Sequence, residues 1–311
     1  MKIYVPENQQ LVVSSLSNED LYSKPISETS RVRINAHGSP MTGKFNTEIG
    51  FLWAAKAGYP CCVAVPKKTA DGVWVCFHDE DNINEIRYSN GIVPVCERKK
   101  VGGEYVYTQY DEAGNVIGNE PMPISGLTWE FLQDKIIYNE SYYGIWGTQH
   151  IPKLEEFFRA CSQTGMIPML SVHPALTVSE WLEVKALAQK CGVVSKLDVK
   201  LRPGDDYVDA AVQALGNDIL RYSIYVSSET GFQWALSKWN SLGSVGNQTP
   251  AIEMLYSFAS SEYASQIRGY GFTCSVFDGT RNLSGEKLRN WISWGVTEIT
   301  SNYNHSYGLN W

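Results

Sequence analysis

From Arg31 onward, eight short β-rich runs alternate with amphipathic helical stretches, and few folds accept that rhythm. The expected strands are Val32–Ala36, Cys61–Val65, Ile167–Val172, Ser195–Lys200, Leu220–Val226, Ala251–Tyr256, Phe272–Phe277 and Val296–Ser301. Helices are expected between them over 47–56, 152–163, 178–190, 206–215, 230–242, 260–268 and 285–294. Thr177 and Glu180 stand at capping-box spacing ahead of the third of these, and Gly192 follows its end. Proline at position 152 and Gly165 bracket the second, whose apolar face is Leu154, Phe157, Phe158 and Cys161. Asn46 and Ser284 are the expected caps of the first and last.

Strand-helix alternation implies βαβ units and a parallel sheet. Eight such units point to an α/β fold of the (β/α)8 TIM barrel type. A doubly wound open sheet is the other arrangement, but no GxGxxG or GxxxxGK[ST] turn follows any run. The 311 residues then divide into a polar N-terminal arm over 1–30 and one barrel over 31–311. The connection from Phe77 to Ile151 is too long for an ordinary loop, so an insertion of about 80–150 is expected after a strand-two hairpin. Within it, Glu97-Arg98-Lys99-Lys100 is expected to be a solvated surface, and Tyr105–Tyr110 to be half of a hairpin turning at Ala113-Gly114-Asn115.

Composition removes several function classes. The 26 basic residues against 33 acidic ones give a net charge of −7, which argues against a nucleic-acid partner. No run of 18 apolar residues occurs, so no membrane span is expected, and no signal peptide opens the chain, which implies synthesis in the cytoplasm. The seven cysteines are odd in number, lack CxxC spacing and lie mostly in apolar runs. They are expected to be reduced core thiols rather than zinc ligands.

In a TIM barrel the chemistry sits where strands end at their C-termini. His37 follows the first expected strand and His173 follows the third. His78 ends the run 73–77, which follows the turn Thr69-Ala70-Asp71-Gly72. Strand two therefore extends past the rim, turns at Asp71-Gly72 and returns, bringing His78 back towards His37. Two imidazoles facing one pocket can serve as general base and general acid near neutral pH. His150 and His305 lack such a context and are expected to be structural or exposed.

These segments resemble the glycerophosphodiester phosphodiesterases. The resemblance is carried by Ile34-Asn35-Ala36-His37-Gly38, Phe45-Asn46-Thr47, Thr69-Ala70-Asp71-Gly72 and Phe77-His78-Asp79. Gly147 to Phe157, Met166–His173, Phe272–Asp278 and Gly295–Asn302 extend it over roughly 31–305. It leans towards versions encoded by phages and gut bacteria, which implies a tail or fibre component assembled through the N-terminal arm and associated with a virion.

By that resemblance His37 and His78 are the acid–base pair. A divalent cation, calcium or magnesium, is the family norm, held by two carboxylates on strand two and one on strand three. Here those positions hold Val63, Val65 and Ser171. Valine offers a hard cation no oxygen, so no cofactor and no conventional metal site are expected. The family's arginine after the first histidine is replaced by Gly38, and its strand-three lysine by His173. Lys67, two residues beyond Val65, would share its face by strand period and place an ammonium near a phosphate, with Lys68 beside it at the rim. Asp79 joins His173 and Lys67 as an expected substrate contact, and Asp79, Glu80 and Asp81 are the residues from which a different metal site could be built. The expectation is a degenerate barrel binding a glycerophosphate- or carbohydrate-type ligand. The alternatives are a metal-independent phosphodiesterase acting on glycerophosphodiesters or teichoic-acid-like polymers, and a purely structural assembly protein.

Overall fold

The computed structural model describes residues 33–37, 50–51, 54–55, 59–78, 86–89, 92–137, 150–279 and 285–301, with the backbone alone described at 33–35, 37, 136, 137 and 285. The expected arm over 1–30, the expected caps Asn46 and Ser284, and Asp79, Glu80, Asp81 and His305 lie outside the described residues.

Eight parallel strands close into a barrel. They are β1 (Arg33–His37), β2 (Cys61–Ala64), β10 (Ile167–Ser171), β11 (Asp198–Leu201), β12 (Arg221–Val226), β13 (Ala251–Leu255), β14 (Thr273–Asp278) and β15 (Glu298–Ser301). Their order around the barrel is β1-β15-β14-β13-β12-β11-β10-β2, and β2 pairs back onto β1. The expected (β/α)8 architecture is the observed one. The strands are legible because those of a parallel sheet covered by helices are buried on both faces and read as near-continuous apolar runs. All four residues of β2 are buried: Cys62 and Ala64 join the layer under the helices, while Cys61 and Val63 form a separate apolar cluster with Met169.

The outer layer is α1 (Leu154–Thr164), α2 (Val178–Lys190), α3 (Asp205–Leu215), α4 (Glu229–Leu242), α5 (Ser261–Gly269) and α6 (Gly285–Ser293). Gly50, Phe51, Ala54 and Ala55 are also helical, and Phe51 packs its ring 4.6 Å from that of Phe157. The capping box at the start of α2 forms as expected. Thr177 N donates to Glu180 Oε2 at 2.9 Å, and Glu180 N donates to Thr177 Oγ1 at 3.3 Å. Trp181 and Trp239 are fully buried between helices and barrel, and Trp239 Nε1 donates to the Ala251 carbonyl at 3.1 Å.

Most boundaries lie within a residue or two of expectation, and two of the shifts have a local cause. Pro152 precedes α1 rather than opening it, because Lys153 is the cap residue and its N–H is taken by Glu156 Oε2 at 2.6 Å. β11 begins at Asp198 and not at Ser195, because Val194–Lys196 forms a 3-10 turn.

Beyond β2 the chain continues as β3 (Pro66–Lys68), turns at Gly72 with φ +83°, and returns antiparallel as β4 (Trp74–Cys76). This is the expected hairpin. Trp74 and Cys76 belong to the core under the helices, whereas Val75 packs into a second core. That second core, with Phe77, Ile86, Val95, Ile124, Leu132 and Ile151, supports the segment between β4 and α1. The segment holds a short pair, β5 (Ile86–Arg87) with β9 (Ile136–Ile137), and a three-stranded antiparallel sheet, β6 (Cys96–Val101), β7 (Glu104–Tyr110) and β8 (Val116–Gly118). The Glu97–Lys100 run is part of strand β6, and its outer end is the solvated surface expected of it: the sheet is solvated on both faces there, with Lys99, Lys100, Tyr105 and Val106 all exposed.

Candidate functional site

The barrel interior is built from alternate residues of each strand, and its chemistry is uneven. On β2 and β10 the interior residues Cys61, Val63 and Met169 are buried and apolar, and Ser171 ends β10 with a hydroxyl at the rim. On β11, β12, β13 and β15 the interior includes charged residues. Near the N-terminal ends of the strands, Arg221 donates to Glu298 Oε1 at 2.6 Å and Oε2 at 2.7 Å, and also bonds Asp198. Ser223 Oγ donates to the other Asp198 oxygen at 3.0 Å. Burial alone would lower the Arg221 pKa. The carboxylates of Asp198 and Glu298 more than reverse this and hold the guanidinium charged.

One layer higher, Lys200 Nζ lies 2.6 Å from Glu253 Oε2, and Thr300 Oγ1 donates to Glu253 Oε1 at 2.6 Å. Lys200 and Glu253 are 5% and 1% exposed, yet both line the floor of a pocket of about 100 Å³ that opens at the C-terminal ends of the strands. Ser171 and Phe277 complete its lower wall. At the mouth the Arg202 guanidinium lies 4.7 Å over the Tyr225 ring, a cation–π contact that holds the side chain across the opening. Burial raises the Tyr225 phenol pKa, with Arg202 opposing and Glu253 reinforcing the shift, so the hydroxyl keeps its proton and can donate.

The two described rim histidines converge on this mouth from different elements. β10 ends at Ser171 and delivers His173; β4 ends at Cys76 and the returning hairpin delivers His78. Their rings stand 6.2 Å apart, edge to face, and both line the pocket. His37 is the last residue of β1, its backbone in register with Val63. Its side chain lies outside the described residues, as does Asp79, so the expected pairing of His37 with His78 is a matter for experiment.

Lys67 Nζ donates to the His173 carbonyl at 2.6 Å, so the buried lysine is held against the loop that carries this rim histidine. Lys68 instead pairs with Glu183 at 2.7 Å on the surface of α2, while Trp74 Nε1 donates to the same carboxylate at 2.8 Å. His150 bonds the Lys135 carbonyl through Nδ1 at 2.9 Å, a structural contact as expected.

Lys200, Arg202, Tyr225 and Glu253 escaped the sequence reading. The signal that could have found them is a charged residue at alternate positions of an otherwise apolar strand: Asp198 and Lys200 on β11, Glu253 on β13.

A divalent cation does not fit this site. Val63 and Val65 are each 2% exposed and offer no oxygen, and Ser171 offers a single hydroxyl. The one carboxylate lining the pocket, that of Glu253, is engaged by Lys200 and Thr300. Among the described residues no group of three or more His, Cys, Asp or Glu side chains could hold a metal ion.

Comparison with known proteins places this geometry. No protein-family model and no curated protein matches the sequence. Solved structures do. A candidate glycerophosphoryl diester phosphodiesterase of Silicibacter pomeroyi superposes with a TM-score of 0.66 at 16% identity, over 90% of this chain and 92% of that one. The chain has the fold of the glycerophosphodiester phosphodiesterases. The Agrobacterium tumefaciens glycerophosphodiester phosphodiesterase gives a TM-score of 0.60 at 12% identity, over 88% of this chain and 96% of that one. A phosphodiesterase of Oleispira antarctica, solved in complex with its product sn-glycerol-3-phosphate, gives 0.58 at 16% identity, over 87% and 92%. The phosphodiesterase fold therefore spans nearly the whole barrel. No helix among the described residues is long and apolar enough to cross a membrane.

Proposed function

We propose that this phosphodiesterase-fold barrel binds a phosphate ester, of the glycerophosphate or phosphorylated-glycan type, without metal-dependent hydrolysis. The observation that carries this reading is the division of the barrel interior. Val63 and Val65 offer no oxygen where the family resemblance implies metal-holding carboxylates, while cationic and hydrogen-bonding groups from β4, β10, β11, β12 and β13 gather at the pocket. Arg202 presents a planar fork of N–H donors suited to phosphoryl oxygens. Tyr225 adds a protonated hydroxyl nearby. His78 and His173 supply two further rings at the mouth, above a floor where Lys200 is paired with Glu253. The family resemblance and the likeness to a barrel solved with sn-glycerol-3-phosphate support a polyol phosphate as the ligand class.

Titration calorimetry with sn-glycerol-3-phosphate and with a glycerophosphodiester tests this directly. Binding that persists in chelator and weakens at least tenfold in Arg202→Gln is the expected result. Binding that requires calcium or magnesium would overturn it.

The 6.2 Å approach of His78 and His173 favours a second reading, a metal-independent phosphodiesterase. There one imidazole removes a proton from the attacking hydroxyl or water and the other returns one to the departing ester oxygen. Hydrolysis of a chromogenic phosphodiester in chelator, lost in both His78→Ala and His173→Ala, is the outcome that selects it. Absence of turnover under the same conditions leaves the binding role.

A further inference from the structure

The charges around the pocket can be counted. Lys200 and Glu253 form a pair in contact at 2.6 Å, so the floor contributes no net charge to a ligand above it. Arg202 stands at the mouth over Tyr225 and makes no ion pair with any described residue. His78 and His173 are the other titratable groups of the wall, and Tyr225 keeps its proton. With both imidazoles neutral, the described lining carries one net positive charge. We propose that Glu253 sets the charge the pocket accepts: it admits a phosphoryl group bearing one negative charge, a phosphodiester, in preference to one bearing two, a phosphomonoester, with Arg202 meeting the single charge. This rests on the pocket being a phosphate-ester site.

The physical argument is direct. A diester has one ionisable oxygen and stays a monoanion, whereas a monoester carries about −1.5 to −2 at neutral pH. Arg202 balances the first charge. The second finds no uncompensated cation among the described lining residues, because Glu253 already neutralises the Lys200 ammonium, in a site only 1% to 5% exposed at its floor where water screens poorly. Lys200 cannot answer both the carboxylate and the ligand in full, because its ammonium already lies against Glu253 and packs 5.6 Å from the Phe277 ring. Glu253 is further fixed by Thr300, so it does not swing away.

The test compares two ligands differing by one methyl group, sn-glycerol 3-(methyl phosphate) and sn-glycerol 3-phosphate, by calorimetry at pH 8.5. That pH is well above the ordinary histidine value of about 6.5, and the monoester is fully dianionic there. The wild-type protein is expected to bind the diester at least tenfold more tightly. Glu253→Gln raises the count by one and should bring the two affinities together or reverse their order. Because that change strands a buried ammonium and can prevent folding, a K200M/E253M double variant is measured beside it. It removes both charges, restores the count and is expected to keep the diester preference. Arg202→Gln, at an exposed residue, should weaken the diester at least tenfold. Equal affinities or a tighter monoester in the wild type would overturn the proposal, as would an Arg202→Gln variant that binds the diester unchanged. Binding of neither ester would instead overturn the pocket reading on which it rests.

Discussion

The two walls of the barrel interior solve the same packing problem in opposite ways. On β2 and β10 the space is filled by Cys61, Val63 and Met169, which need no partners. On β11, β12, β13 and β15 it is filled in part by Arg221, Asp198, Glu298, Lys200 and Glu253, which are tolerable there only because each charge is paired. The charged wall is itself divided. Its lower cluster is sealed, and its upper pair forms the floor of an open pocket. The lesson is that buried charge in this barrel has two uses, and access to solvent separates them. The lower network holds strands together across the interior, and the upper one sets the field that a ligand meets. The apolar wall occupies the side where the family resemblance implies metal-holding carboxylates.

The largest expected effect comes from breaking the sealed network. Arg221→Met removes the buried guanidinium that binds both Asp198 and Glu298, and should cost about 3–5 kcal/mol in chemical denaturation. Replacing Arg221, Asp198 and Glu298 together by apolar residues should recover most of that loss, and failure to recover it would mean the network does more than balance charge. Next is the converse change on the other wall. Val63→Asp places a carboxylate in the Cys61–Met169 cluster and should cost roughly 2–3 kcal/mol. Millimolar calcium should leave the melting temperature of the wild type unmoved, since a ligand stabilises only what it binds; a rise would show that the walls had been assigned wrongly.

Smaller effects follow from the buried thiols. Burial pushes Cys62, Cys76 and Cys161 well up, and Cys274 up to about 12. The folded thiol keeps its proton where the unfolded one, with an ordinary value of about 8.5, loses it. Ionisation therefore favours the unfolded chain, and stability should fall as pH rises past that value, by about 0.8 kcal/mol per thiol at pH 9. Denaturation midpoints at pH 7 and pH 9 check this, and a Cys274→Ala variant should show a shallower slope. The smallest effect belongs to Lys68 and Glu183, a partly exposed pair whose coupling in a double-mutant cycle should fall between 0 and about 1 kcal/mol.

How much of this was legible in the sequence depends on the range of the interaction. The barrel strands declared themselves because each is a local apolar run, and α2 because Thr177 and Glu180 cap it from three residues apart. His78 and His173 were found because each directly follows such a run. The Lys200–Glu253 pair was not, because two charges on different strands meet only once the barrel has closed and fixed the register. β6 was hidden by its charges, and the hold of Lys67 on the His173 carbonyl by a separation of 106 residues along the chain. Local pattern revealed the scaffold; the charge balance inside it is a property of the closed ring.

Strand β4 has a consequence for how such a chain can change over time. With Val75 turned to one core and Trp74 and Cys76 to the other, it is a party wall between two rooms. The outer sheet of 96–118 can be lengthened, shortened or redecorated at its solvated end without touching the wall. The residues that plaster it, Ile86, Val95 and Ile124, cannot be removed so freely, because the same wall carries His78 to the pocket. Diversification is thereby steered to the far tip of the outer sheet, leaving the position of the rim histidine as common property of both cores.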